Sequence, residues 1–231
     1  MNAIIASTST IHGSGYLEYL KPVLNSHFQD FEQILFVPFA RPSGLTHDEY
    51  TSKAKEGLAF LKTEVKGIHE FEFPDEALKK AEAIFVGGGN TFLLVKTLHE
   101  LNLMDVLRKK IIDETPYLGT SAGSNICGPN MQTTNDMPIV MPASFETLGV
   151  ISFNINAHYI ETDSNSKHKG ESRRTRIKEF QVFNDINVLG LKEGSWLEAK
   201  NDTIRLKGKL EAVWFKPGKK PEILNPETIL Q

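Results

Sequence analysis

The segment GTSAGSN (119–125) contains the first residues whose types and spacing could do chemistry. Ser121 lies in a G-x-S-x-G frame with Gly119 and Gly123, the pattern of the sharp turn that presents a serine nucleophile. A serine hydroxyl attacks a carbonyl only when a base takes its proton and a third group orients that base. The frame therefore predicts an acyl-transferring hydrolase, provided that the chain also supplies a histidine and an acid.

The base must be one of the seven histidines of the chain. His158 ends the alternating apolar segment GVISFNINAH, which predicts a strand that carries the imidazole to the end of a sheet. His168, in a polar loop, is the weaker alternative. The other five histidines, which include His12 and His47, all precede the serine; His27 and His99 are expected on solvated helix surfaces and His69 within an alternating strand.

Two carboxylates qualify as the acid, and their spacing does not choose between them. Asp136, in TTNDMPIV, would give the chain order serine, acid, histidine that α/β-hydrolases show. Glu193, in LKEGSW, follows a predicted strand and precedes a glycine, in a turn from which a carboxylate could reach a neighbouring strand end. Both alternatives remain open on these grounds.

Backbone amides for a developing oxyanion could come from VGGGN (86–90). Glycines after an apolar strand allow the backbone to approach a ligand closely, and the next helix directs its N-terminus to the same place. A phosphate-binding turn is disfavoured, because the segment lacks the last glycine of G-x-G-x-x-G and no G-x-x-x-x-G-K-[ST] is present. The chain also lacks H-E-x-x-H and has one cysteine, so neither a metal nor another cofactor is expected.

Short apolar runs that alternate with amphipathic stretches must position these residues. The runs have the length and turn-forming ends of buried parallel strands, and lie at 2–7, 33–40, 83–89 and 116–121. Helices are predicted at 47–64 and at 90–114, the second as one helix or as two broken near Asn102. The pattern predicts an α/β fold with a mostly parallel sheet, helices on both faces, and the active site at the carboxyl ends of the strands.

The last third of the chain has a different pattern, with short strands separated by the turn pairs Asn201-Asp202 and Pro217-Gly218. These predict C-terminal hairpins at the edge of the sheet. Because no repeat, low-complexity tract or flexible linker interrupts the chain, a single domain over residues 1–231 is expected.

Charge and composition limit the class of partner. A formal net charge of −3 provides no basic surface for nucleic acid or an anionic membrane, so a small-molecule substrate is favoured. The N-terminus lacks the pattern of a signal peptide and no stretch has the length of a membrane span. A lone cysteine, Cys127, needs no oxidising compartment. A cytoplasmic protein, monomeric or homodimeric, is expected.

Six blocks of the sequence together resemble one family. In chain order they are FVGGGNTF, GTSAGSN, TTNDMPIV, NINAHY, HKGESRRTRI and LKEGSW. Their order and separations resemble peptidase E, the α-aspartyl dipeptidase family of serine peptidases, over essentially the whole chain. The resemblance implies a fold related to class I glutamine amidotransferase domains and hydrolysis of dipeptides that begin with aspartate. Relatives often have tryptophan before the serine, where this chain has Thr120.

The resemblance also implies roles for individual residues. It places the nucleophile at Ser121, the base at His158 and the acid at Glu193, which spacing alone could not decide. The oxyanion donors correspond to the backbone N–H groups of Gly89 and Ala122.

Substrate contacts follow from the same blocks. The family's substrate arginine corresponds to Arg173, whose planar guanidinium suits a carboxylate, while Arg174 and Arg176 are expected at the surface. Asp136 is then a candidate for the substrate's α-amine, and Asn90 for the side chain or the backbone of the substrate's aspartate. The alternatives are a serine hydrolase of another specificity, such as a cyanophycinase-like enzyme or an esterase, and a catalytically silent binding domain.

Overall fold

The computed structural model describes residues 1–161 and 170–230. The strands, in chain order, are β1 (Asn2–Ala6), β2 (Gln33–Val37), β3 (Glu64–Gly67), β4 (Ala83–Val86), β5 (Tyr117–Thr120), β6 (Asn154–Ala157), β7 (Val188–Leu191), β8 (Ser195–Lys200), β9 (Thr203–Gly208), β10 (Ala212–Phe215), β11 (Glu222–Leu224) and β12 (Ile229–Leu230). The helices are α1 (Lys21–Phe28), α2 (His47–Gly57), α3 (Pro74–Lys80), α4 (Thr91–Glu100), α5 (Met104–Ile112), α6 (Ala122–Asn125) and α7 (Arg173–Phe183).

An eight-stranded sheet with the order β12-β9-β8-β1-β5-β4-β2-β3 forms the centre of the described structure. The five strands from β1 to β3 in this order are parallel to one another, and β8, β9 and β12 pair antiparallel. This confirms the predicted α/β fold with a mostly parallel sheet. Because the carboxyl ends of parallel strands meet at one edge, the segments after β1, β4 and β5 lie together.

Helices cover both faces of the large sheet, because successive strand residues point to opposite sides. Ile4 and Phe36 pack on one face, in a core cluster that also contains buried residues of α1 and α2. Ile5 and Val37 pack on the other face, together with buried residues of α4 and α5. Burying each such side chain stabilises the fold by about 1.5–3 kcal/mol. This two-sided packing makes the strands nearly continuous apolar runs.

A second sheet, with the order β11-β10-β7-β6, was not predicted from the sequence. Of the two predicted C-terminal hairpins, β8–β9 joins the large sheet beside β1, whereas β10–β11 lies in this second sheet. The sheet packs against the core through Phe153 and Trp214, whose ring centroids are 4.9 Å apart. β6 and β7 are parallel, so the residues that follow them lie at one edge.

The helix predictions are confirmed with shorter bounds. The stretch 47–64 contains α2, which ends at Gly57 and begins with a capping box between Thr46 and Glu49. The stretch 90–114 forms two helices, α4 and α5, with the break at Asn102. Asn102 has a φ of 54°, a left-handed conformation that asparagine tolerates better than most residues and that ends a helix.

Two histidine predictions are wrong. His27 is not solvated: its Nε2 lies 3.1 Å from the carbonyl oxygen of Tyr117, and burial lowers the pKa of the imidazole to about 4. His69 lies in a short 3-10 helix instead of a strand, with Nε2 2.8 Å from a carboxylate oxygen of Asp48. His99 is half-buried on α4, and His168 lies outside the described residues.

Across residues 1–161 and 170–230, none of the helices has the length and apolar character that crossing a bilayer requires.

Candidate active site

Ser121 occupies a sharp turn between β5 and α6. Its backbone has φ 53° and ψ −108°, a conformation that is strained for a residue with a side chain. The turn is held by its amide, which donates to the carbonyl of Ala6 (3.1 Å), and by its carbonyl, which accepts from Ser124 and Asn125 (2.9 Å each). These bonds fix the side chain at the edge where the parallel strands end.

The glycines of the G-x-S-x-G frame are required by close packing. A Cβ atom on Gly119 would lie 2.5 Å from the carbonyl oxygen of Gly123, and one on Gly123 would lie 2.3 Å from that of Val86. Both contacts involve backbone that cannot move aside without disturbing α6 or β4. The two glycines therefore allow α6 to begin directly against the sheet.

Ser121, His158 and Glu193 form a hydrogen-bonded row. Nε2 of His158 lies 2.8 Å from Oγ of Ser121, and Nδ1 lies 2.7 Å from Oε1 of Glu193. The carboxylate can only accept, so Nδ1 carries the proton and Nε2 is left to accept from the serine hydroxyl. Because the His158 and Glu193 side chains are 34% and 51% exposed, their pairing contributes little to stability. Its effect is to orient the imidazole.

Asp136, the other candidate acid, is bonded elsewhere. Its Oδ2 accepts from the amide of Thr91 (2.7 Å) and from the hydroxyl of Thr134 (2.9 Å). The carboxylate thus caps the first turn of α4, where negative charge is favourable. Of the two acids that spacing left open, the structure brings Glu193 to the histidine.

The glycines after β4 lie against the serine turn. A Cβ atom on Gly88 would lie 2.9 Å from Cβ of Ser121, and one on Gly89, whose φ is 144°, would lie 2.1 Å from the carbonyl oxygen of Ala40. Within the described residues, no acceptor bonds the N–H groups of Gly89 or Ala122. The N–H groups that follow Gly88 and Ser121 in the chain are therefore left without an acceptor in the described structure.

Asn90 holds this glycine segment through its side chain. Its Oδ1 accepts from the amide of Leu93 (3.1 Å), which caps α4, and its Nδ2 donates to the carbonyl of Met137 (2.8 Å). Both ends of the amide are thus engaged within the protein. In the described structure Asn90 therefore fixes the start of α4 against the segment that contains Met137.

Arg173 is the first residue of α7, which is capped by Ser172. Burial lowers the pKa of its guanidinium, while the nearby charge of Glu193 acts in the opposite direction. Nη1 is buried, and no group in the described part of the chain hydrogen-bonds it. The neighbouring Arg174 is paired with Glu161 at 2.8 Å, so its charge is already matched.

Two residues of the site were missed by the sequence analysis. The hydroxyl of Ser7 bonds the amide of His158 (2.9 Å), and Oδ1 of Asn125 bonds the amide of Ala157 (3.3 Å). The only local signal for Ser7 is a polar residue directly after the apolar run of β1. Asn125 lies within the quoted block GTSAGSN but carried no assigned role.

In the described residues, no group of three or more His, Cys, Asp or Glu side chains has the arrangement of a metal site. The groups that meet at the sheet edge are instead an alcohol, an imidazole, a carboxylate and backbone amides, which together can transfer a proton and an acyl group.

The sequence of the chain matches a known protein family. The sequence profile of Peptidase family S51 matches residues 3–207. The chain belongs to this family. The match runs from within β1 to within β9 and thus includes every residue of the row and of the glycine segment. It also confirms the resemblance to peptidase E that the six sequence blocks indicated.

Curated relatives within the family match nearly the full chain. Peptidase E of Streptomyces coelicolor is 44% identical over 224 residues, which cover 97% of this chain and 91% of the relative. A probable alpha-aspartyl dipeptidase of Drosophila melanogaster is 40% identical over 228 residues, covering 97% and 94%.

Solved structures share the fold at lower identity. A putative peptidase E protein from Listeria monocytogenes superposes with a TM-score of 0.67 at 21% identity, covering 90% of this chain and 98% of the other. A peptidase from an acI-B1 Actinobacterium gives a TM-score of 0.68 at 15% identity, covering 99% and 96%. At these identities the likeness concerns the fold alone.

Proposed function

We propose that this protein is a serine dipeptidase that hydrolyses dipeptides with an N-terminal aspartate, Asp-X, through an acyl-enzyme. The observation that carries the proposal is the row from Ser121 Oγ through the His158 imidazole to Glu193, with bonds of 2.8 and 2.7 Å. The substrate class is supported by the relatives, one of which is named a probable alpha-aspartyl dipeptidase.

Acylation begins when Ser121 attacks the carbonyl carbon of the aspartyl residue. His158 takes the hydroxyl proton at Nε2, and Glu193 stabilises the resulting imidazolium through Nδ1–H. The tetrahedral oxyanion binds the N–H groups of Gly89 and Ala122, which have no acceptor in the described structure. The C–N bond then breaks, and the nitrogen of residue X leaves with the proton from His158.

Deacylation repeats these steps with water as the nucleophile. His158 removes a proton from the water as it attacks the ester carbonyl, and the same amides bind the second oxyanion. When the C–O bond breaks, Ser121 regains its proton and free aspartate is released. No further group is needed to balance the reaction.

Specificity requires a cation for the aspartyl side chain. We assign this role to Arg173, because a partly buried guanidinium at the start of α7 opposes the helix dipole and gains from an anionic ligand. We assign the substrate's ammonium group to Asp136, whose Oδ1 has no hydrogen-bond partner among the described residues. The single buried Cys127 suits the cytoplasm, the compartment that we propose.

The decisive experiment is hydrolysis of Asp-Leu by the wild type and by Ser121→Ala, with release of leucine as the readout. The wild type should cleave Asp-Leu and leave Ala-Leu essentially intact, whereas Ser121→Ala should lose turnover by a factor on the order of 10⁴ or more. Equal cleavage by both proteins would contradict the proposal. Cleavage of esters or longer peptides in preference to Asp-Leu would indicate a hydrolase of another specificity.

A further inference from the structure

Ser7 is a buried polar residue that takes no part in the proposed reaction steps. It follows β1 directly, and its exposure is 0%. A hydroxyl at such a position must find partners within the protein. Oγ donates to the carbonyl of Leu191 (2.7 Å) and accepts from the amide of His158 (2.9 Å). The hydroxyl therefore uses its single proton to bond Leu191 and a lone pair to bond His158.

The backbone around His158 is fastened at three successive amides. The N–H groups of residues 157–159 donate to Asn125 Oδ1 (3.3 Å), Ser7 Oγ (2.9 Å) and Leu191 O (3.0 Å), in that order. These acceptors belong to the helix that begins after the nucleophile, to the end of β1 and to the end of β7. The bond to Ser7 is the one made by the amide of the base itself.

The bond to Ser7 helps to hold His158 in a strained backbone conformation. His158 has a φ of 54°, which costs a non-glycine residue energy and persists only when its surroundings impose it. Leu191, the other partner of Ser7, is the last residue of β7. Glu193 follows two residues later, in the connection to β8. A single hydroxyl thus connects the backbone of the base to the strand that carries the acid.

We propose that Ser7 is a positioning residue: it holds the base and the acid of the row in register with each other. This inference rests on the proposed function for its kinetic consequence, and on the geometry alone for its structural one. Removing the hydroxyl leaves the His158 amide without a partner and releases the link to Leu191. The imidazole can then move by a fraction of an ångström from the line between Ser121 and Glu193.

The kinetic test compares Ser7→Ala with a matched variant of another buried hydroxyl. Thr147, which is 1% exposed and donates to the carbonyl of Gly128 (2.6 Å), offers Thr147→Val. Ser7→Ala should lower kcat on Asp-Leu roughly 10- to 100-fold with KM nearly unchanged, since misplacement acts on the transition state. Thr147→Val should keep kcat, and Ser7→Thr, which retains the hydroxyl, should restore most of it.

A second measurement does not depend on activity. The proton on Nδ1 of His158 that bonds Glu193 should give a far-downfield resonance in one-dimensional proton NMR, assigned by its absence in Glu193→Gln. We expect this resonance to be lost or broadened in Ser7→Ala and to survive in Thr147→Val. If wild type failed to cleave Asp-Leu, the proposed function would be wrong while the resonance still tested Ser7. Wild-type kcat, or an unchanged resonance, in folded Ser7→Ala would overturn the inference.

Discussion

Ser121 and His158, whose side chains share a 2.8 Å hydrogen bond, both hold their backbones at positive φ, 53° and 54°. Each residue lies directly after a strand, where the chain must turn sharply to direct a side chain along the sheet edge. Residues other than glycine adopt this region at a cost on the order of 1–3 kcal/mol. The strain therefore lies at the two residues between which the proposed mechanism moves a proton, and the surrounding hydrogen bonds hold both in place.

The choice between Glu193 and Asp136 as the acid can be tested directly. Glu193→Gln should lower kcat on Asp-Leu by roughly 10²- to 10⁴-fold, because an amide N–H facing Nδ1 favours the tautomer in which Nε2 carries the proton. The thermal midpoint should change little, since the pair is half-exposed. Steady-state kinetics and a thermal melt measure both effects.

Asp136→Asn is the matched variant for that prediction. It removes the charge that caps the first turn of α4 and weakens the proposed contact with the substrate's ammonium group. We expect a higher KM and a smaller loss of kcat than in Glu193→Gln. A loss of kcat larger than that of Glu193→Gln would move the role of acid to Asp136.

Gly88 should tolerate no side chain. A Cβ atom there would lie 2.9 Å from Cβ of Ser121 and 3.0 Å from the carbonyl oxygen of Thr120, so Gly88→Ala must displace the nucleophile turn. Displacement of about 1 Å should lower kcat on the order of 100-fold. Gly15→Ala, whose Cβ would meet only the Glu18 side chain, is the control and should retain activity. Wild-type kcat in Gly88→Ala would show that the turn can relax.

Arg173 should control preference for aspartate. Removing a charged hydrogen-bond donor should lower kcat/KM for Asp-Leu roughly 10- to 100-fold in Arg173→Ala, and leave the slow cleavage of Ala-Leu almost unchanged. Arg176→Ala removes an exposed arginine from the same turn of α7 and should behave as wild type. If the ratio of the two substrates stayed the same in Arg173→Ala, the assignment of the aspartyl contact would be wrong.

Acid should destabilise the fold through His27. Burial lowers the folded-state pKa of His27 to about 4, whereas the unfolded chain retains the ordinary value near 6.5. As pH falls from about 6.5 to 4, only the unfolded state takes up the proton, so the free energy of unfolding decreases by roughly 3 kcal/mol. Above pH 6.5 the effect is absent.

His27→Gln should flatten this dependence. Glutamine can still offer an N–H to the carbonyl of Tyr117 but does not titrate. Urea midpoints at pH 7 and pH 5 should differ less in this variant than in the wild type. His12→Gln, at an exposed histidine, should keep the wild-type difference. If the urea midpoint changed equally between pH 7 and pH 5 in the wild type and in His27→Gln, His27 would be solvated at low pH.

The parallel part of the fold could be predicted because its signal is local. Strands buried on both faces are continuous apolar runs, and the runs at 33–40 and 116–121 contain β2 and β5. The break at Asn102 was visible because asparagine tolerates the left-handed conformation that it adopts there. The second sheet could not be predicted, since alternation identifies a strand such as β10 without saying which strand it pairs with.

The candidate site was predictable to a similar extent. Ser121 has a local frame and His158 ends an alternating strand, so each could be found from its own neighbours. The acid could not, because Glu193 reaches His158 only through the parallel pairing of β6 with β7. His27 was misjudged for the same reason: its helix is polar around it, and its burial depends on the distant Tyr117.

The row joins the two sheets of the described structure. Ser121 follows a strand of the eight-stranded sheet, while the base and the acid follow strands of the four-stranded sheet. In a chain in which only the eight-stranded sheet has formed, Ser121 has no imidazole beside it, and its hydroxyl is a poor nucleophile. Both sheets must therefore be formed and packed together before the row exists, so an activity assay also reports on complete folding.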